Sequence, residues 1–322
     1  MIFILAWRNL WRNRRRTLIT AAAIFFAVML SVVMNSIQQG VYEKMIDNIV
    51  GLYSGYVQVH QKGYWDDQTM DYTFADAPAV REKVSAHPRV STAVPRLESF
   101  ALAASETKTA PTQVVGTDPE LEHKLTKLQD KVVAGTFLTN ADKGAMVAEG
   151  LAQKLGLGLG DTLVLMGQGY QGATAVGQYE IKALLHFGSP ELNKAVTYLP
   201  LPEAQFLYAA PDRLTAYALA IDKGSAAVST ADQLEADLPA EDYEVMDWKE
   251  MMPEMIQLME VDQGGNYVTL GILYLVVAFG IFGTILMMTQ ERRFEFGLML
   301  SVGMKRTKLI AMTFLEMVFM AI

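Results

Sequence analysis

The 322-residue chain contains no cysteine, which excludes a disulfide scaffold, a thiolate metal site and a cysteine nucleophile. Charge is scarce too, at 19% of residues against 51% hydrophobic, and that hydrophobic content excludes a disordered chain. Nor is there a basic excess. The 27 Lys and Arg face 35 Asp and Glu, a formal net of −8, whereas a general nucleic-acid binder carries a basic face. More decisive is where charge is missing altogether. No charged residue occurs from Thr17 to Tyr42 or from Asn266 to Gln290. Each run exceeds the ~20 apolar residues needed to cross a bilayer core, so the sequence reads as a membrane protein.

The flanks of those runs set an orientation. Arg8, Arg12, Arg14, Arg15 and Arg16 precede the first run with no acid beside them, and Arg292, Arg293, Lys305, Arg306 and Lys308 follow the second against Glu291 and Glu295. Residues 39–265 hold 17 basic and 32 acidic residues. Arg and Lys next to membrane-spanning ends favour the cytoplasmic side, which puts 39–265 outside. The first run is too long for a cleavable signal core of about 7–15 residues, and no small-x-small site follows it at Asn35–Gly40. The plan is therefore a cytoplasmic amphipathic segment (1–16), a first transmembrane helix (17–38), a periplasmic domain (39–265), a second transmembrane helix (266–289) and a cytoplasmic loop (290–308). A third, incomplete transmembrane helix (309–322) follows.

Within the first segment Trp7 and Trp11 stand four apart, one helical turn, with Arg8 and Arg12 at the next positions. Such a stretch suits the membrane surface, with indoles at headgroup depth and guanidiniums at lipid phosphates; it could equally serve only to anchor the first span. The run from Leu309 to Ile322 covers about 21 Å at ~1.5 Å per residue, short of the ~30 Å core. The sequence is therefore expected to be a fragment cut inside a third span.

The external segment reads as short strands mixed with helices. Tyr56–His60 alternates with period two, a half-buried strand. Strands are expected at 94–104, 113–116, 161–166, 179–185 and 216–221. Helices are expected at 77–86, 119–128, 150–155, 202–208 and 225–238, and an amphipathic one at 248–261 that runs into the second span. Gly167–Gly177, with four glycines among polar neighbours, has the composition of a mobile hairpin tip. Strands and helices without strict βαβ alternation indicate an α+β domain.

Catalytic motifs are missing. There is no GxxxxGK[ST] for phosphate. Gly156–Asp161 superficially resembles a dinucleotide fingerprint, but it follows a helix and opens a strand, the reverse of the required context; it is better read as a helix stop and a turn. His60, His87, His123 and His186 form no HxxxH pair. The acidic pairs Asp66-Asp67 and Glu241-Asp242 read as solvated turns. The 19 methionines concentrate near the spans and read as packing rather than thioether ligands. The chain is expected to be no enzyme, with no cofactor and no metal.

The stretch after the second span is distinctive: Thr289-Gln290-Glu291-Arg292-Arg293-Phe294-Glu295-Phe296-Gly297, then Gly303, Lys305 and Arg306. This T-x-E-R-x-x-E-x-G pattern, a second glycine and a new span resembles the FtsX-like, MacB-type permeases of ABC transporters, lipoprotein-releasing relatives included. Ala6–Leu10, Arg14–Leu18, Val115–Glu120 and Leu155–Thr162 resemble the same family's opening and periplasmic domain. Phe296 departs from the isoleucine often found there, and the end of the third span and a fourth are missing.

The resemblance implies that 294–303 is a coupling helix docking on a separate ABC ATPase. Arg292, Arg293, Phe294, Glu295, Gly297, Gly303 and Lys305 are the implied coupling residues. It further implies a periplasmic α+β core with a β-rich lobe inserted at about 111–195, and motion transmitted to that domain for lipoprotein release or periplasmic substrate export. Its partners would be the ATPase, a second permease copy or paralogue, the lipid bilayer, and a lipoprotein or a periplasmic or outer-membrane partner. Small residues on both spans (Ala21, Ala22, Ala23, Ala27 and Ser31; Gly271, Gly280 and Gly283) allow close helix approach, within a subunit or across a dimer. Glu316 is a lone charge in the third apolar run and should face protein, with Asn35 and Thr284 as candidate partners. Two other readings remain open. A two-span sensory receptor with an external sensor domain should continue into a long cytoplasmic helix, and a membrane-anchored external enzyme needs a catalytic constellation.

Overall fold

The computed structural model describes residues 11, 12, 14–46, 50, 53–221 and 224–321. Two compact units emerge: Glu43–Ile256, and a second formed from the two ends of the chain, up to Tyr42 and from Gln257 onward.

The chain enters the first unit from the long helix α1 (Arg14–Ile46). It continues through β1 (Val57–Gln61), β2 (Phe74–Ala75), α2 (Pro78–Ser85), β3 (Val90–Ala104), β4 (Thr109–Thr117) and α3 (Pro119–Thr126). Then come β5 (Val132–Gly135), β6 (Ala145–Ala148), α4 (Glu149–Leu155), β7 (Thr162–Gln168), β8 (Thr174–Leu185) and β9 (Val196–Pro200). The unit ends with α5 (Leu201–Leu207), β10 (Arg213–Leu214), β11 (Ala216–Ile221), α6 (Ala227–Asp237) and β12 (Tyr243–Asp247).

Ten strands share one mixed sheet in the order β12-β1-β11-β3-β4-β9-β6-β8-β5, with β7 bridging β3 and β8. The pairings β3·β4, β4·β9, β9·β6, β6·β8, β8·β7 and β7·β3 close into a ring. Only β4·β9 and β6·β8 are parallel. The long strand β3 serves two neighbours on one edge. Its start pairs with β11 as far as Arg96, and its end with β7 from Ala101 onward, while β4 runs along the other edge from Arg96 to Ala104. Residues 97–100 consequently have a strand on one edge only. Helix α5 packs directly on β4: a Cβ at Gly116 would lie 2.1 Å from that of Ala204, so this contact requires glycine.

The core holds a buried ion pair. Arg96 and Glu122 are both fully buried. The guanidinium donates from Nε and Nη2 to the two carboxylate oxygens of Glu122 (2.9 and 2.6 Å), from Nη2 to the Tyr53 carbonyl (2.6 Å) and from Nη1 to Glu98 (3.0 Å). Glu122 also accepts from the hydroxyls of Thr117 and Thr126. A charge out of water is tolerated only when paired and hydrogen-bonded in this manner. Asp118 orients the element that carries Glu122, its side chain capping α3 at the amides of Glu120 and Leu121, as an N-cap should.

Three local expectations are corrected. The strand at 57–61 is not half-buried: it lies between β11 and β12, and Gln58 and His60 are as buried as Val57 and Val59. Gln58 Nε2 and His60 Nδ1 are met by the Ser54 and Thr215 carbonyls, so the alternation marks two covered faces. The glycine-rich stretch is no loose tip either. The ladder of β7 with β8 runs on to Gln168 and Thr174, and the turn between them is tied down by Tyr170 to the Tyr208 carbonyl and Gln171 to Asp71. Finally, helix 248–261 is broken. A short helix at Trp248–Met251 stops at Met252, because the residue before a proline is pushed out of the α region, and the long helix starts afresh at Pro253.

The second unit comprises α1 with α7 (Pro253–Glu291), α8 (Arg293–Ser301) and α9 (Arg306–Ala321). Among the described residues two helical stretches, Thr17–Ile46 and Pro253–Glu291, are long and apolar enough to cross a membrane. They are tied at two levels. Thr20 and Thr284 meet at 3.2 Å, and Gln38 and Tyr42 both donate to Asp262. The 18 residues between the tie points on α1 and the 22 on α7 correspond to about 27 and 33 Å of helix, bracketing the ~30 Å of a hydrocarbon core.

Candidate ATPase-coupling site

Helix α8 is short because its sequence stops it. Gly303 takes the left-handed conformation at φ +97°. Its amide donates to the Leu300 carbonyl and that of Met304 to Met299, both at 3.0 Å. These are the two bonds of a Schellman stop, which satisfy the last carbonyls. The chain then reverses into α9, and Phe296 and Met312 form a small buried cluster with Met299, Leu309 and Leu315 around them. A second cluster joins Met288 and Phe319.

The polar contacts follow the same register. Arg292 sits just before α8, almost buried, with Nη1 3.1 Å from both carboxylate oxygens of Glu316 on α9. Pairs 292/316 and 296/312 are both symmetric about position 304, as expected of one helical hairpin. Arg292 also reaches Glu295 at 3.3 Å and lies over the Phe296 ring. Glu295 in turn accepts two bonds from Arg12 Nη2, at 3.0 and 2.9 Å. The Arg12 bonds, helped by Arg292, hold the Glu295 carboxyl below the usual carboxylate range. The exposed Arg12–Glu295 pair is worth at most about 1 kcal/mol. The Arg292–Glu316 pair is largely withdrawn from water, and removing one partner there costs about 3–5 kcal/mol.

Apart from Gly303, which stops the helix, the implied coupling residues separate into two groups. Arg292 and Glu295 are occupied within the unit. Arg293, Phe294, Gly297 and Lys305 face outward, Phe294 being 86% exposed, and Leu298 shares that exposed surface. A side chain at Gly297 would meet nothing within 4 Å. Of the membrane-interface residues, Trp11 and Arg12 are exposed, and Trp7 and Arg8 lie outside the described residues.

The partners expected for Glu316 are corrected. Thr284 is engaged with Thr20 and the Gly280 carbonyl. Asn35 is exposed 15 residues beyond Thr20 on α1, about 22 Å away along the axis. The partner missed was Arg292, which sequence reading takes as a topological flank and an implied coupling residue. The stop glycine at 303 was the available signal, since it fixes a hairpin that folds residue 316 back to the level of residue 292.

Residues 17–237 match the family model of the MacB-like periplasmic core domain, and residues 267–322 that of the FtsX-like permease C-terminal region. The chain belongs to the MacB/FtsX type of ABC transporter permease. Membership implies partnership with an ABC ATPase and makes the α+β unit an extracytoplasmic domain of a membrane permease, the transporter's generally non-catalytic component. Among solved structures, the permease is similar to the periplasmic region of MacB from Actinobacillus actinomycetemcomitans, with 13% identity, a TM-score of 0.45 and coverage of 66% of this chain and 98% of that one. It is also similar to the extracellular domain of the noncanonic ABC-type transporter YknZ from Gram-positive bacteria, with 15% identity, a TM-score of 0.41 and coverage of 60% and 99%. No curated protein matches the chain.

Proposed function

We propose that the permease transmits the ATP-driven motion of a separate ATPase, received at α8, to its periplasmic domain, in lipoprotein release or export of a periplasmic substrate. In this reading the chain is multi-pass in the inner membrane, with 39–265 outside, and works as a pair with a second copy or a paralogue, since paired nucleotide sites close about a two-fold axis. The observation that supports it is the division of labour on α8. Arg292 and Phe296 fasten the helix to α9, while Phe294, Gly297 and Leu298 are left bare for a partner. A short helix so attached carries a push into the apolar helix behind it.

The test is site-specific photocrosslinking in membranes that also contain the ATPase. A photoreactive residue at Phe294 or Leu298 should capture the ATPase, and one at Phe296 should not. Gly297→Leu should weaken co-purification with the ATPase, because its side chain projects into open space and clashes with nothing in the permease itself. Capture from none of these positions, with co-purification unchanged by Gly297→Leu, overturns the assignment of α8.

A further inference from the structure

The edge of β3 that lies between its two partners opens onto a cavity of about 210 Å³. Leu97–Phe100 is where β11 has ended and β7 has not begun, and Glu98, Ser99 and Phe100 line the space. Tyr64 and Trp65 form an aromatic wall, Arg96 and Gln113 complete the polar floor, and Met252, the residue at which the chain breaks before α7, lies at the side. Exposure grades from buried Tyr64 and Arg96 through Glu98 and Trp65 to exposed Phe100 at the mouth.

We infer that this cavity is a binding site for an organic cation, an alkylammonium or guanidinium group held by Glu98 against Tyr64, Trp65 and Phe100. Charge decides the sign. The one guanidinium in the wall, Arg96, already donates to Glu122, to the Tyr53 carbonyl and to Glu98. Four of its five N–H groups are spent on these partners, so an incoming anion finds little free donor to meet it. Glu98 has capacity to spare: one oxygen accepts from Arg96 and the other from Gln113 Nε2 at 3.1 Å, half of what a carboxylate can take. Aromatic rings in the wall beside a carboxylate suit a cation. The volume is below the ~300–1,000 Å³ of pockets for drug-sized ligands, so the occupant is of side-chain size, a free amine or a Lys or Arg of a peptide. The inference does not depend on α8 docking an ATPase.

Isothermal titration calorimetry on the full chain in nanodiscs tests it, with n-butylammonium, n-butanol and butyrate as a charge series on one alkyl stem. A capped Gly-Lys-Gly tripeptide separates a peptide side chain from a free amine. Butylammonium or the tripeptide should bind saturably, about tenfold or more tighter than butanol, and butyrate should not bind. Glu98→Gln should weaken the cation about tenfold or more, and Trp65→Leu about two- to fivefold. The wild-type charge series keeps the test decisive if Glu98→Gln does not fold. Binding of neither cation, equal binding of butanol, or cation affinity indifferent to both substitutions overturns the site.

Discussion

Arg292 presents a single guanidinium nitrogen, Nη1, to both carboxylate oxygens of Glu316 at 3.1 Å, and so clamps the start of α8 to the middle of α9. Because Arg292 also holds Glu295, which Arg12 grips from the other side, a displacement of α8 is felt both at the N-terminal segment and at α9. The two links differ in strength. The Arg12 link is solvent-screened and yields readily, whereas the Glu316 link is desolvated and stiff.

That difference makes a measurable prediction. Arg292→Gln and Glu316→Gln should each lower ATPase-coupled transport sharply, because either removes the opposite charge from a buried ion pair. The exchanged pair Arg292→Glu/Glu316→Arg should recover part of the loss, while Arg12→Gln alone should cost little at moderate salt. A transport assay on the assembled complex decides. An exchanged pair no better than the worse single variant would show that the two residues do not act as a pair.

How far the sequence disclosed this arrangement depends on the kind of signal. The two long helices were legible, since a charge-free run in a chain with 62 charged residues is a strong signal of a lipid environment. The mixture of strand and helix was legible too, but β5, β6, β9, β12 and the two-residue strands β2 and β10 were not. β6 and β9 are buried on both faces, so they show no alternation to read. Closure of the strand ring was out of reach, because it depends on β3 changing partners partway along its length, a matter of long-range register. The Arg292–Glu316 pair was half legible. A carboxylate in an apolar run announces a need for a partner, and only the hairpin geometry supplies its identity.

The buried pair in the periplasmic domain should be costly to break and cheap to replace. Arg96→Met leaves Glu122 uncompensated at full burial and is expected to destabilise by about 3–5 kcal/mol. The double change Arg96→Met/Glu122→Met removes both charges and should be markedly less harmful than Arg96→Met alone. Thermal unfolding of Arg96→Met, Glu122→Met and the double variant measures this. A double variant whose loss equals the sum of the singles would mean that the two charges do not compensate each other.

His60 should make the domain acid-sensitive. Its Nδ1 faces the Thr215 carbonyl at 3.0 Å and must donate to it, leaving Nε2 a buried acceptor with no partner. The ring is enclosed by Tyr64 and Trp65, and burial lowers its pKa from 6.5 to about 4. With the folded value below the unfolded one, the contribution is present above pH 6.5 and is lost as pH falls through 4. The loss over that window is on the order of 3 kcal/mol. His60→Phe, which keeps the ring contacts and cannot titrate, should flatten that part of a stability–pH profile. An unchanged acid limb would assign the sensitivity to other groups.

Two phenylalanines on α8, two positions apart, should behave in opposite ways. Phe296 is buried against Met312 beneath the Arg292 guanidinium, and truncating it opens a void in the apolar cluster that joins α8 to α9. Phe296→Ala should therefore destabilise the hairpin by about 3 kcal/mol, the lower end for a buried phenylalanine because the cluster is small. Phe294 is exposed, with the Arg293 guanidinium over its ring, so Phe294→Ala should change stability by no more than about 0.5 kcal/mol. If α8 is the docking element, the same substitution removes a large aromatic anchor from an interface, where such residues carry about 2 kcal/mol or more. ATPase affinity should then fall about thirtyfold. Thermal unfolding and a binding titration with the purified ATPase, run on both variants, separate the two effects. Phe294→Ala with unchanged affinity would place the ATPase contact elsewhere, and Phe296→Ala with unchanged stability would mean that Arg292–Glu316 alone holds the hairpin closed.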